Sequence, residues 1–363
     1  MKGWTLFFFT CLATLSISSA GYAGPCTRKP SELFRARQNG KWGYIDKQGH
    51  MVVPPRFNGE IGRFSEGLAW VQIDRDFGYI DTIGKVVVPP RYHYTGDFSE
   101  GLAMVRIGDN CHDGKCAYID TTGKYVIEPD PQFLVLQDFS EGLAPVFSIG
   151  KKLRWGPSGP RGKWGYVDRT GKLVIAARFD LAGAFSEGLA CIKMNGKYGF
   201  IDRMGTIVIP PRFAAVYGLG SESLIGFCDG LAPVKAEMAS PWGYIDTRGR
   251  MVISQQFEKA ERFSEGLAPI KVIGGKWGYI DKTGSVVIEP RYDEAKSFSD
   301  GLARVKVFGQ YGYINTAGDI VIKPQFNTAR DFSGGVAEVH RGEQSSAYSM
   351  IDKTGKYIWR SEE

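Results

Sequence analysis

The chain has little of what catalysis usually requires. Histidine is scarce, four in 363 residues, and His50, His93, His112 and His340 lie far apart, never at metal-ligand or triad spacing. There is no phosphate loop, no HExxH and no dinucleotide fingerprint. The formal net charge of +6 permits an anionic partner without demanding one. These absences leave no cofactor, no metal and no nucleic acid to expect. No segment beyond the N-terminus is long and apolar enough for a transmembrane helix.

The N-terminus reads as a secretory signal over residues 1–23. Lys2 precedes an apolar run from Leu6 to about Ile17, and the small residues Gly21 and Ala23 precede a cleavage point after Ala23. Pro25 stands directly before Cys26, where a lipid-attachment motif wants a small residue. The expected product is exported, periplasmic or secreted, so disulfides are permitted. Cys26, Cys111, Cys116, Cys191 and Cys228 remain, an odd number that leaves at least one thiol unpaired or shared between chains.

What is present is repetition. Glycine supplies 47 residues and aromatics 13%, a composition of short strands and turns. The phrase GKWGYID at Gly40 returns as DFGYID (Asp76), KCAYID (Lys115), GKWGYVD (Gly162), GKYGFID (Gly196), PWGYID (Pro241), GKWGYID (Gly275), GQYGYIN (Gly309) and AYSMID (Ala347). FSEGLA begins at Phe64, Phe98, Phe139, Phe185 and Phe263, with variants at Phe227, Phe298 and Phe332. The spacing is about 35 residues, the signature of a repeat architecture.

Each unit divides into three strands: c (LAxVx), a (WGYID) and b (VVxP). Asn39-Gly40 and Asn195-Gly196 join c to a as tight hairpins, because both positions need positive φ. D-x-x-G joins a to b, the aspartate capping the turn and the glycine taking the left-handed position. Prolines such as Pro54-Pro55 cannot donate to a ladder, so pairing should stop there. Along c, Ala69 and Val71 have counterparts in Ala190/Ile192, Ala232/Val234 and Ala303/Val305, while the residues between them vary. That alternation suggests one buried and one wet face. The fold class is therefore all-β: tandem three-stranded antiparallel meanders, stacked as an open β-solenoid or superhelix, with a closed β-propeller as the alternative. Residues 24–40 form a lead-in with the first c strand, and 41–363 the array, with inserts near 149–161 and 216–227.

GKWGYIDKTG at Gly275 together with FSEGLA at Phe263 resembles the bacterial WG (KWG) repeat, in nine tandem copies from about Leu33 to Trp359. Cys116-Ala117 and Tyr348-Ser349 depart from the motif, as does the missing proline after Ile253. The resemblance implies repeat modules of exported or multidomain bacterial proteins and no shared reaction or ligand.

Candidate chemistry is sparse. Asp46, Asp81, Asp120, Asp168, Asp202, Asp246, Asp281 and Asp352 recur at one turn, and Glu66, Glu100, Glu141, Glu187 and Glu265 at another. A group found at the same turn of nearly every unit serves the turn, whereas a hydrolase needs an acid and a base facing one bond. In Cys111-His112-Asp113-Gly114-Lys115-Cys116, an Asp-Gly hairpin would set the two cysteines opposite each other at about 4.5 Å, within reach of a disulfide. A metal site through these thiols and His112 is the rival. Cys191–Cys228 is a further candidate pair. The last position of strand c reads Arg106, Lys193, Lys235, Lys271 and Lys306 in five units, beside an aromatic column that includes Trp42, Tyr198, Trp242, Trp277 and Tyr311. Such a surface suits an anionic or glycan envelope polymer or a protein partner. The alternative is that lysine stems simply cover the rings. Trp155, beside Lys151, Lys152 and Arg154 in an insert, is a further contact candidate. The functional expectation is an exported, non-catalytic binding scaffold. An envelope-polymer hydrolase and a purely structural array are the alternatives.

Overall fold

The computed structural model describes residues 33–108, 115–149, 162–216, 226–342 and 349–360, with the backbone of 155–156 and 159–160. It is built of strands and turns. The c strands are Phe34–Gln38, Leu68–Ile73, Ala103–Arg106, Leu143–Ser148, Leu189–Met194, Leu231–Lys235, Ala268–Val272, Ala303–Val307 and Val336–His340. Each is followed by its own a and b strands, giving nine units, numbered here from one to nine in chain order. The c–a hairpins have the expected register, Leu189 facing Asp202 and Lys193 facing Tyr198. Asn39 and Asn195 take φ of 50° and 48° at their tips.

A fourth strand, absent from the sequence reading, completes most sheets. Short segments such as Tyr94–Thr95, Leu181–Ser186, Ala215–Val216 and Glu294–Ala295 pair with the outer edge of c. Their signal is a small or β-branched residue three positions after the aromatic that ends b: Thr95, Ala182, Val216, Ala260, Ala295 and Ala329. Strand b does not stop at its prolines. Its ladder to a lapses between Val53 and Phe57 and then resumes, so Pro54 and Pro55 sit in a bulge of an edge strand.

That bulge explains the glycine after the motif tryptophan. A Cβ on Gly278 would meet the Ile288 carbonyl oxygen at 2.5 Å and Pro290 N at 2.7 Å. Both are backbone atoms and cannot swing aside. Unit three, with Ala117 at this place, has only a three-residue b strand, Tyr125–Ile127, with no resumed pairing.

Neither face of the c strand is wet. Ala69 and Val71 are buried as expected, but so are the intervening Pro145, Cys191, Pro233 and Pro269. Units stack face to face, so each sheet is covered on both sides, and the variable residues vary because their neighbours do. The alternation reports two different packings and not exposure.

The stacking returns to its start. Every D-x-x-G glycine from Gly84 to Gly355 rests against the b strand of the preceding unit, and Gly49 of unit one rests in the same way on Ile358 of unit nine. Ala36 and Ile45 share a core with Val336 and Met350, and Arg35 lies 3.6 Å from Glu338. No single sheet closes as a barrel. Separate sheets touch around a ring, which is the closed β-propeller arrangement of the two the sequence allows.

Two outcomes test this packing. Gly278→Ala should cost roughly 1–3 kcal/mol in chemical denaturation, the usual penalty of overpacking, whereas Ala117→Gly should cost little. Removing residues 332–363 opens the ring at two interfaces, so circular dichroism should record a cooperative loss of structure. A thermal midpoint that fell only in proportion to units removed would contradict closure.

Candidate binding surface

The repeated polar residues are almost all committed, some between units and others within their own turns. Tyrosine hydroxyls of strand a donate to backbone carbonyls of the next unit: Tyr44 to Gly62 (2.9 Å), Tyr166 to Gly183 (2.8 Å), Tyr279 to Lys296 (2.8 Å) and Tyr313 to Arg330 (2.7 Å). Desolvation holds the phenols of Tyr118, Tyr166 and Tyr279 well above their ordinary pKa. Serines of the FSEG turns donate onward, Ser99 to the Phe139 carbonyl and Ser140 to that of Phe185, both at 2.7 Å.

The acidic residue of each FSEG turn sits at positive φ, 53° at Glu66 and 54° at Glu100. Its carboxylate accepts from the next unit's turn: Glu66 from Gly101 N (2.8 Å), Glu100 from Gly142 N (2.9 Å), Glu187 from Gly230 N (2.9 Å) and Asp300 from Gly335 N (2.8 Å). The D-x-x-G aspartates are occupied within their own turns. Asp281 accepts from the hydroxyl of Thr283 at 2.6 Å and from the amides of Thr283 and Ser285. The Thr283 hydrogen bond, followed by the backbone ones, lowers its pKa against the opposing effect of desolvation. These carboxylates serve turns and interfaces, as their repetition suggested.

Histidines pair locally, His50 with Asp46 at 3.0 Å, His93 with Asp76 at 3.5 Å and His340 with Glu338 at 3.6 Å. Among the described residues no three His, Cys, Asp or Glu side chains gather as metal ligands. His112 lies outside the described residues.

Both proposed disulfides need correction. Cys116 and Cys191 are free, buried thiols. Cys116 stands opposite Arg106, not Cys111, and Ile107 N bonds the Lys115 carbonyl at 2.9 Å. The observed register, Arg106 against Cys116, is therefore not the one that places Cys111 against Cys116. Cys111 lies outside the described residues. The thiol of Cys116 donates instead to the Leu134 carbonyl at 3.5 Å, and burial pushes its pKa up to about 11. Cys191 fills the contact between units five and six, packed with Phe200 and Phe227, and burial raises its pKa further.

The basic and aromatic residues do come together at one end of the ring, where strand c turns into strand a. The Lys193 amine lies 5.0 Å from the Tyr198 ring centre, Lys235 5.4 Å from Trp242 and Lys306 5.0 Å from Tyr311. Lys271 faces Trp277 in register but pairs with Glu258. Lys306 also meets Glu294 at 3.1 Å, and that hydrogen bond is the main cause of its raised pKa. Arg106 stacks on Tyr94 at 5.8 Å, in its own unit's short strand. Sequence reasoning missed Arg37, whose guanidinium lies 5.6 Å from the Trp42 ring at the same position of unit one. The backbone of Trp155 pairs with Pro160 in a small ribbon inserted between c and a of unit four; its side chain lies outside the described residues.

The thiols give a direct check. In native protein neither Cys116 nor Cys191 should react with iodoacetamide at neutral pH, and both should react after denaturation without a reductant. Reductant-dependent labelling of Cys116 would restore the disulfide.

Among the described residues no helix is long and apolar enough to cross a membrane. The fold is similar to that of a eukaryotic initiation factor, 12% identical, with a TM-score of 0.58 over 92% of this chain and 96% of that one. BamB from Moraxella catarrhalis is 13% identical, with a TM-score of 0.41 over 91% and 96%. No curated protein matches the chain. The family model described as WG containing repeat matches residues 42–75, 77–111, 117–151, 164–198, 198–235, 242–277, 277–309 and 311–342. Those eight matches stop short of the a strand of unit nine, where Ser349-Met350 replaces the motif. The chain belongs to the WG-repeat family.

Proposed function

We propose that this chain is an exported, non-catalytic scaffold that binds an anionic or glycan polymer of the cell envelope at the hairpin end of its ring. The observation that carries the proposal is the cation held over an aromatic ring at one equivalent position of several units, in Lys193–Tyr198, Lys235–Trp242 and Lys306–Tyr311. Such pairs offer charge to an acidic group and a ring face or edge to a sugar. The non-catalytic character is supported by the hydrogen-bond commitments of the repeated carboxylates, which leave them serving structure. Export is supported by the signal-like N-terminus. Glu258 and Glu294 compete for Lys271 and Lys306, so the polymer's acidic groups would have to replace them there.

Changing Lys193, Lys235, Lys271 and Lys306 together to Gln should weaken binding of an anionic glycan by roughly tenfold at low salt and flatten its salt dependence, because exposed charges are screened over about 10 Å at 0.1 M. Trp155→Ala should weaken binding without altering the salt slope. Titration of the mature chain against a panel of acidic and neutral glycans measures both. A quadruple variant that binds every polymer as the parent does would reduce these lysines to cover for the rings.

A further inference from the structure

Among the described residues five apolar side chains are more than 60% exposed, and three of them lie in neighbouring units. Met238 is 72% exposed, Ile273 65% and Phe308 97%. All three occupy connections between strands c and a, in units six, seven and eight. Those connections leave the same end of the ring, so the three residues cap successive tips. The short tips of units one, two and five are polar instead: Asn39-Gly40, Asp74-Arg75 and Asn195-Gly196. Ile83 and Met204, the other most exposed apolar residues, sit in D-x-x-G turns at the opposite end, in units that are not neighbours.

Phe308 also sits badly for its own turn. Its φ is 49°, matching the 48° of Asn195 at the equivalent place. Asparagine tolerates that conformation, whereas a bulky side chain there is an outlier that costs local stability. The phenyl ring gains nothing from the ring's interior in exchange, since it is almost wholly in water. Strain of this kind points to a contact made outside the chain.

The charges around the tips are mixed, with lysines in slight excess and Glu237, beside Met238, paired with Lys197 at 3.4 Å. Lys235 donates to the Met238 carbonyl at 3.3 Å, and Lys276 beside Ile273 keeps 55% of its side chain exposed. Lys259 is exposed across the ladder from Lys271. Glu258, Asp293 and Glu294 each pair with a lysine here. Lys235 and Lys259 have no carboxylate in ion-pair range among the described residues.

We propose that the Met238, Ile273 and Phe308 tips insert into the interface of a lipid bilayer bearing anionic headgroups, docking the ring end-on with its lysines against the phosphates. Separate convex tips suit a fluid interface, which closes round each one, and nearby unpaired lysines complement anionic lipid. The proposal names a second partner for this end of the ring and does not rest on polymer binding, because its test leaves all four column lysines unchanged.

The test is co-sedimentation of the full mature chain with vesicles of phosphatidylcholine alone or mixed with phosphatidylglycerol, with Phe308→Asn, Ile273→Ser and the opposite-end control Ile83→Ser. The parent should bind the anionic vesicles roughly tenfold better than the neutral ones at low salt. Phe308→Asn should lower that binding several-fold while its thermal midpoint stays level or rises, since asparagine suits the turn. Ile273→Ser should lower it as well, and Ile83→Ser should not. Failure of the parent to bind, equal binding to neutral vesicles, undiminished binding by Phe308→Asn, or equal loss in Ile83→Ser would each overturn the proposal. None of these outcomes bears on glycan affinity, so the two readings fail separately.

Discussion

Seven of the nine a strands bury a tyrosine whose hydroxyl finds its acceptor only in the following unit, and the same ring packs edge-on or tilted against that unit's FSEG phenylalanine. Tyr44 meets Phe64 at 4.7 Å, Tyr166 meets Phe185 at 5.0 Å and Tyr313 meets Phe332 at 4.7 Å. A buried hydroxyl without a partner is costly, so a unit cut from its neighbour pays for an orphaned donor as well as for bare apolar surface. This dependence makes the stack obligatory. It also fixes how units meet, because the serine, the acidic residue and the arginine just before the aromatic that ends b all reach the same neighbour. Arg178 donates to the Gly205 carbonyl at 2.7 Å and Arg291 to that of Gly318 at 2.8 Å.

Closure is where this scheme changes. Unit nine places Met350 where other units place tyrosine, so no phenol crosses from it to unit one. The contact there is held by the core around Ala36, Ile45, Val336 and Met350 and by Arg35 beside Glu338. Unit five has the same deficit in milder form: Phe200 stacks on Phe227 at 4.7 Å but has no hydroxyl to donate. The partner of unit nine is the lead-in strand, where Leu33 is kept and Phe34 stands in place of the usual alanine.

Hairpins and turns were legible because their chemistry is local. Asn195-Gly196 fixed Lys193 opposite Tyr198, and D-x-x-G named its own geometry. The same reasoning misplaced Cys111 and Cys116, since an Asp-Gly pair inside a longer connection looks identical in sequence to one that closes a hairpin. The repeat itself held the better signal: Cys116 occupies the place of Tyr198 and Arg106 that of Lys193, so the common register already set Arg106 against Cys116. The short fourth strand was hidden by its length, and the covered second face of strand c by residues such as Pro233 and Cys191, whose variety resembles exposure. The candidate surface was legible as a column of residue types. Its carboxylate partners were not, because Glu258 and Glu294 belong to segments brought there only by the fourth strand.

The interfaces constrain almost every repeated residue, and this determines where function can reside. A residue whose side chain is pledged to the next unit cannot change without loosening the ring, so the FSEG and D-x-x-G turns are poor sites for specialisation. Among the described residues the connections between c and a carry few bonds across units, Lys197 to Glu237 at 3.4 Å being one. They are accordingly the places where units differ most, from the two-residue Asn-Gly tip of unit five to the insert of unit four and the strained Phe308-Gly309 of unit eight. A tip can lengthen, acquire charge or expose an aromatic ring at a cost confined to its own hairpin. Functional difference in a ring of near-identical units should therefore concentrate at that end, where the lysine–aromatic pairs and the apolar tips are both found.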